Sequence, residues 1–247
     1  MSKFEKYHIE NLELTKKKLR GIVSKDLLII KAANSLSDLK NVINVLVTKL
    51  REWYSYYNPE LEKETRDNKK FVDLIIKGEK KRKDSIGGEF DNYDQNIILE
   101  LAGRIKQLSQ LEESLEEYIE KTMKQVCPNL QAVAGNSIGP KLLILSRSLK
   151  ELSKMPASKI QLLGSEKAFF RYLISGTKSP KYGLLFTHEL VQKSRNKGKI
   201  ARVLADKISI AARIDYFKGE FIGDKLRKQV EARLWEKYFL EFIKMKE

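Results

Sequence analysis

The chain has 247 residues, of which 42% are hydrophobic and 33% charged, a balance that excludes a disordered polypeptide and leaves room for a real core. Thirteen glycines and five prolines are too few for a turn-rich all-β protein of this length, and the abundance of Leu, Ile, Lys and Glu favours helix. The net charge is +15, and it is unevenly placed: residues 1–126 carry 24 basic against 22 acidic side chains, residues 127–247 carry 24 against 11. A nearly neutral half followed by a half at +13 predicts two modules with different partners, the second facing a polyanion. One cysteine, Cys127, excludes an intramolecular disulfide and any Cys-based metal site. No stretch has the apolar length of a membrane span and the N-terminus lacks the apolar core of a signal peptide, so no membrane partner is expected and an intracellular location is.

Residues 1–24 read as a linker or an N-terminal helix. The clearest pattern follows. Leu36, Leu39, Ile43, Leu46, Leu50, Trp53 and Tyr57 alternate spacings of three and four, a heptad seam that lets helices wrap around each other. Asn58-Pro59 interrupts it, because proline cannot donate the helical hydrogen bond and disfavours helix in the residue before it. Residues 78–97 mix glycines with clustered charge and read as a polar tip. A second seam returns through Ile98, Leu101, Ile105, Leu108, Leu111, Leu115, Ile119 and Met123. Two seams about a polar tip predict an antiparallel coiled-coil arm over 25–126, with Leu39, Ile43, Leu46, Leu50, Leu101, Ile105 and Leu108 as the residues of self-dimerisation. The carboxylates Glu112, Glu113, Glu116 and Glu117 fall on its outer face.

A compact basic helical domain is expected over 127–247. Helical segments are predicted from Pro140 to Leu152, from Pro156, and over 196–214 and 220–244; Leu184-Leu185-Phe186 is too short for a strand. The fold class is therefore all-α.

Catalytic signals are sparse. His8 and His188 are the only histidines and have no second histidine at ligand spacing, and GNSIGPK (135–141) lacks the spacing of a phosphate-cradling loop and reads as a helix-entry turn. Cys127 reads as a packed small residue. No cofactor, no metal and no catalytic residue is expected. Nucleic-acid signals are stronger. Lys193, Arg195, Lys197 and Lys199 crowd the start of a helix, whose free N–H groups already favour an anion, with Arg202 three residues on. In LLGSEKAFFRYL (162–173), Lys167 and Arg171 lie four apart on one helical face and Phe170 is expected on the core side. Gly164, opening that run, permits close approach of another group or simply caps a helix. The residues alone leave two readings open: an RNA interface, or a protein-only adaptor whose basic face meets an acidic partner.

Longer motifs go further. MPASKIQLLGSEKAFFRYL resembles the NOP-domain signature MPAS-x-IQ-x-LGAEKALFR, and the resemblance extends through PNLQAVAG, KSPKYGLLFTHELVQ, GKIARVLADKISIAARIDYF and GEFIGDKL, with LREWYSYYNPEL upstream. It covers most of residues 10–245. The NOP-domain family consists of scaffold proteins of archaeal and eukaryotic box C/D ribonucleoproteins, which guide RNA 2′-O-methylation. The resemblance implies a non-catalytic scaffold that dimerises by its coiled coil and binds kink-turn guide RNA together with a small kink-turn-binding protein. It implies the cytoplasm in an archaeal cell and the nucleolus in a eukaryotic one. By position, Gly164, Glu166, Lys167 and Arg171 match the RNA-approaching loop, His188 an RNA-contacting histidine, and Lys199 and Arg202 the basic helix. Ser165 stands where the family usually has Ala, and Phe169 where it has Leu. Only about two dozen residues precede the arm, so the family's fibrillarin-recruiting N-terminal domain has no counterpart and fibrillarin is a doubtful partner of this chain.

Overall fold

The computed structural model describes residues 3–22, 24–79, 81 and 84–244, with side chains except at 20–22 and 234–244. Among the described residues all regular structure is helical. In chain order the helices are α1 (Lys3–Ile22), α2 (Lys25–Tyr54), α3 (Pro59–Glu64), α4 (Asn68–Ile76), α5 (Asn92–Val126), α6 (Pro128–Ser146), α7 (Leu149–Lys154), α8 (Ala157–Leu162), α9 (Glu166–Ser175), α10 (Glu189–Gln192), α11 (Lys197–Tyr216) and α12 (Gly223–Lys244), with a 3-10 turn over Leu184–Thr187. The chain forms two compact units: Asn34–Tyr118, and Met1–Ala33 with Ile119–Glu247.

In the first unit α2 and α5 supply the two expected seams, and α4 adds a third wall. The core comprises Ile43, Val47, Leu50 and Tyr54 from α2, Phe71, Val72 and Ile75 from α4, and Ile98, Ala102 and Ile105 from α5. A helix that faces two neighbours buries a stripe rotated from the two-stranded seam. Val47, Tyr54 and Ala102 therefore enter the core, while Trp53 and Leu111 stay 40% and 49% exposed. Leu39, Leu46, Leu101 and Leu108 are partly buried against it. All seven residues expected at a dimer interface thus pack within the chain's own unit.

Local chemistry explains the breaks. Asn58 caps α3 by accepting from the Leu61 N–H at 3.2 Å, with Pro59 in the first turn, and Asp67 caps α4 through the Lys70 N–H at 2.7 Å. Arg51 ties the three elements together: it donates to the Glu62 and Thr65 carbonyls and to Asn68, and its guanidinium sits 4.3 Å from the Phe71 ring centre. The polar tip is shorter than expected, since Asp91 accepts from the Asp94 N–H at 2.8 Å and starts α5 at Asn92; residues 80, 82 and 83 of that tip lie outside the described residues. Glu112, Glu113 and Glu116 on the outer face of α5 pair with lysines of α2 and α4. Lys40 meets Glu112 and Glu116 at 3.6 and 2.6 Å, and Lys69 meets Glu113 at 2.9 Å.

The second unit is organised around α11, which packs against α6, α7, α8 and α12. Its buried stripe contains Ile200, Ala201, Leu204, Ala205, Ile208, Ala211 and Ala212, and the four alanines let neighbouring helices approach closely. Lys199, Arg202 and Arg213 occupy the opposite, exposed face. The expected 140–152 helix is divided at Arg147, whose φ of 70° ends α6; Ser148 then caps α7 through the Glu151 N–H at 3.0 Å. The entry turn expected at 135–141 is a kink inside α6, with Gly135 at φ 76° and ψ 170°. Cys127 is fully buried, its sulfur 3.3 Å from that of Met123, and burial pushes the thiol far above its usual pKa, so it is a packing residue. Asp26 reaches the N-terminus of α7 by accepting from the Leu149 N–H at 2.9 Å.

Candidate nucleic-acid interface

The turn between α8 and α9 is stitched to a segment twenty residues further on. The Gly183 N–H donates to the Gln161 carbonyl at 2.9 Å and the Leu184 N–H to the Leu163 carbonyl at 2.6 Å. Gly183 permits this crossing, because a Cβ there would stand 2.0 Å from the Leu163 carbonyl oxygen. Gly164 adopts φ +83°, and its nearest neighbours are Leu184 and Leu145. The close approach that its glycine allows is therefore made to the chain itself.

This crossing places the first turn of α9 beside the segment that precedes α10. Lys167 and Arg171, one turn apart, line a cleft of about 460 Å³ together with Gly164, Tyr182, Gly183 and Phe186. Tyr182 and Phe186 stack at 4.8 Å with an interplanar angle of 13°. Lys197, at the start of α11, sits 5.0 Å from the Phe186 ring centre and also donates to Gln192 at 3.4 Å. Three cations from two helices thus surround an aromatic stack. Tyr182 and Phe186 were not among the candidates read from the sequence; the alternation of Lys178, Lys181 and Tyr182 before an apolar run was the available signal.

Glu166 is set against Gly164, whose N–H it accepts at 2.9 Å, and so holds the turn in place. Lys199 and Arg202 are exposed on α11, where Asn196 caps the helix by accepting from the Lys199 backbone N–H at 3.2 Å. Arg195 is exposed just before this cap, and Lys193 pairs with Glu189 at 3.7 Å. Two expectations are corrected. Phe170 does not face a core: α9 buries no side chain, and Phe170, Leu173 and Ile174 are 61%, 60% and 86% exposed. The helix is held at its first turn, and its apolar stripe runs beside the cationic one.

His188 lies inside rather than at the surface. Its Nδ1 accepts from the Leu190 N–H at 3.2 Å, which leaves the proton on Nε2 to donate to the Val133 carbonyl at 3.3 Å. Burial lowers its pKa. A histidine depressed in the folded state binds its proton more tightly when unfolded, so its stabilisation is complete above the ordinary imidazole range and is lost as pH falls toward the lower folded value. Thermal unfolding between about pH 7.5 and pH 5 should show stability falling by up to about 1.4 kcal/mol per pH unit within that window. His188→Gln should flatten the slope, and an unchanged slope would exclude His188 as its source.

This cleft falls within a stretch that matches a known family. The description "Nop: snoRNA binding domain, fibrillarin" matches residues 35–236. The chain belongs to the Nop family. A NOP5 family protein of Methanocaldococcus jannaschii is 39% identical over 258 aligned residues, covering 94% of this chain and 62% of the relative. Human nucleolar protein 56 is 36% identical over 241 residues, covering 85% of this chain and 41% of that protein. The chain therefore spans less than two thirds of the length of these Nop relatives. A crystal structure of a fibrillarin/Nop5p complex superposes with a TM-score of 0.59 at 25% identity, covering 92% of this chain and 73% of the other, which agrees with the all-α Nop architecture.

Proposed function

We propose that this chain is a scaffold subunit of a box C/D ribonucleoprotein that guides RNA 2′-O-methylation. It binds kink-turn RNA jointly with a small kink-turn-binding protein and pairs with a second copy through its 25–126 arm, while 127–247 is the RNA- and protein-binding domain. The observation that carries this reading is the cleft in which Lys167, Arg171 and Lys197 surround the Tyr182–Phe186 stack, within the stretch 35–236 that matches the Nop family. Cations take phosphate oxygens and partly exposed rings in a cleft wall take unpaired bases, the combination that suits RNA bent away from regular helix. Phe170, Leu173 and Ile174 offer the second partner an apolar stripe on the same helix, which favours joint binding over a purely acidic protein partner. The role is assembly; the methyl transfer belongs to another subunit of the complex.

Gel shifts with a kink-turn RNA, its binding protein and this chain test the reading. A ternary shift that weakens steeply with salt is expected, and a mismatched duplex should not support it. Equal binding to both RNAs would refute kink-turn recognition.

Because the seam residues are consumed within one chain, the proposed pairing with a second copy falls to another face. Val42, Val45 and Trp53 are 48%, 61% and 40% exposed and lie along one side of α2, Val42 and Trp53 about a quarter turn from its core stripe and Val45 nearly opposite it. Val45→Asp is expected to leave a folded monomer, whereas Leu50→Asp should unfold the 34–118 unit. Sedimentation together with circular dichroism separates the two, and a Val45→Asp chain that still sediments as a dimer would exclude this face.

A further inference from the structure

We propose that the C-terminal end of α11 is a second RNA-contacting surface, which takes an unpaired segment of the same RNA by base stacking and phosphate contacts. The proposal rests on the RNA reading above and extends it to a part of the domain remote from the cleft. Tyr216 and Phe217 close α11 as an edge-to-face pair with ring centres 5.1 Å apart, and they are 37% and 77% exposed. Phe217 adds almost nothing to the core, and Tyr216 keeps part of its ring in water at the helix end. They offer flat faces on which a base can stack, whatever its identity.

Cations converge on the same place from two elements. Arg213, one turn before Tyr216, donates from Nε to the Ser153 carbonyl at 3.2 Å, which brings the end of α7 against this part of α11. Ser209 donates to the Met155 carbonyl at 3.1 Å and extends that contact. Lys154 therefore lies near Tyr216. Lys150 and Lys159 are close enough to act on Glu151, whose carboxyl Lys154 holds below its usual value at 2.8 Å. Lys218 follows the aromatic pair, exposed, in a left-handed conformation with φ 56°. Lys154, Arg213 and Lys218 thus stand near two exposed rings, and Lys150 and Lys159 extend the positive charge around Glu151. The acidic groups among them are Glu151, which is already paired, and Glu220 beyond Lys218; Asp215 is buried and bonded to α6.

An acidic protein would use the charges but has no need of the rings, and an RNA duplex hides its base faces by stacking. A single strand uses both. Sixteen residues of helix separate Lys197 from Arg213, about 24 Å at 1.5 Å per residue. The two cation–aromatic sites therefore stand at opposite ends of one rigid helix, and an RNA anchored in the cleft can carry an unpaired tail across that distance.

The test compares two RNAs in the presence of the kink-turn-binding protein: a minimal kink-turn, and the same RNA with an oligouridine tail. The wild-type chain should bind the tailed RNA about tenfold or more tightly than the minimal one. Phe217→Ala with Lys218→Asn should abolish this gain and leave minimal-RNA binding unchanged. Photocrosslinks from 4-thiouridine in the tail should map to Tyr216 or Phe217. A tail that adds nothing to wild-type binding, or a double variant that keeps the full gain, would overturn the second surface while leaving the cleft intact. Displacement of the tail gain by nothing, but strong binding of polyglutamate lost in the variant, would assign the surface to an acidic protein. If the wild-type chain retains neither RNA, the RNA reading itself falls, and this surface with it.

Discussion

Lys167→Glu combined with Arg171→Glu is expected to weaken the complex with kink-turn RNA by about a hundredfold or more. A charge-assisted contact is worth about 1.5–3 kcal/mol, and reversal replaces attraction by repulsion at two positions one helical turn apart. The fold should survive, because both side chains are exposed and α9 buries none of its residues; surface exchanges of this kind usually change stability by no more than about 0.5 kcal/mol. The salt dependence provides an independent readout. Losing two phosphate contacts should make the slope of log affinity against log salt shallower by roughly 1.4–1.8. Binding measured by anisotropy across a salt series would settle both quantities, and a double variant that binds as wild type would remove the cleft from the interface. Glu166→Ala provides a contrast: it frees the Gly164 N–H and loosens the turn, so a smaller loss without a changed salt slope is expected.

Asp215→Ala should cost about 3–5 kcal/mol of stability. The carboxylate is 7% exposed and sits at the N-terminus of α6, where it accepts from the Asn129 N–H at 3.1 Å, the Asn129 side-chain amide at 2.8 Å and the Leu130 N–H at 2.8 Å. Cys127, at the cap position of α6, makes no side-chain cap bond, so Asp215 does from 86 residues away what a local capping residue does elsewhere. Truncation leaves buried donors without an acceptor and empties a packed position. The same Asn129 side chain accepts from the Ile222 N–H at 2.7 Å, so the loss also loosens the entry to α12. Asp215→Asn retains one acceptor oxygen and should cost less. Denaturant unfolding measures both, and equal stabilities of Asp215→Ala and wild type would show that the α6 terminus is satisfied by other means.

Residues that determine structure through their immediate neighbours were readable. Asn58-Pro59 ended the first seam because proline acts on its own backbone, and the helix expected from 196 starts at Lys197, where Asn196 caps it locally. Ile43, Leu50, Ile98 and Ile105 were assigned to a buried stripe that the structure retains. Phe170 was not legible: a helix of ten residues presents its phenylalanine to core or to solvent according to where other helices arrive, and among the described residues none buries that side of α9. His188 illustrates the same limit, since its burial depends on the Val133 carbonyl 55 residues earlier.

By itself the sequence determined the all-α class, the placement of the long helices and the concentration of positive charge after Cys127, because propensity, proline chemistry and periodicity act within a few residues. Tertiary structure alone decided that α4 completes the 34–118 core, that Asp215 caps α6, and that the Gly183–Leu163 crossing sets Lys167 and Arg171 beside Tyr182, Phe186 and Lys197. Those contacts join residues far apart along the chain, and their geometry depends on how helices pack, which no local pattern encodes.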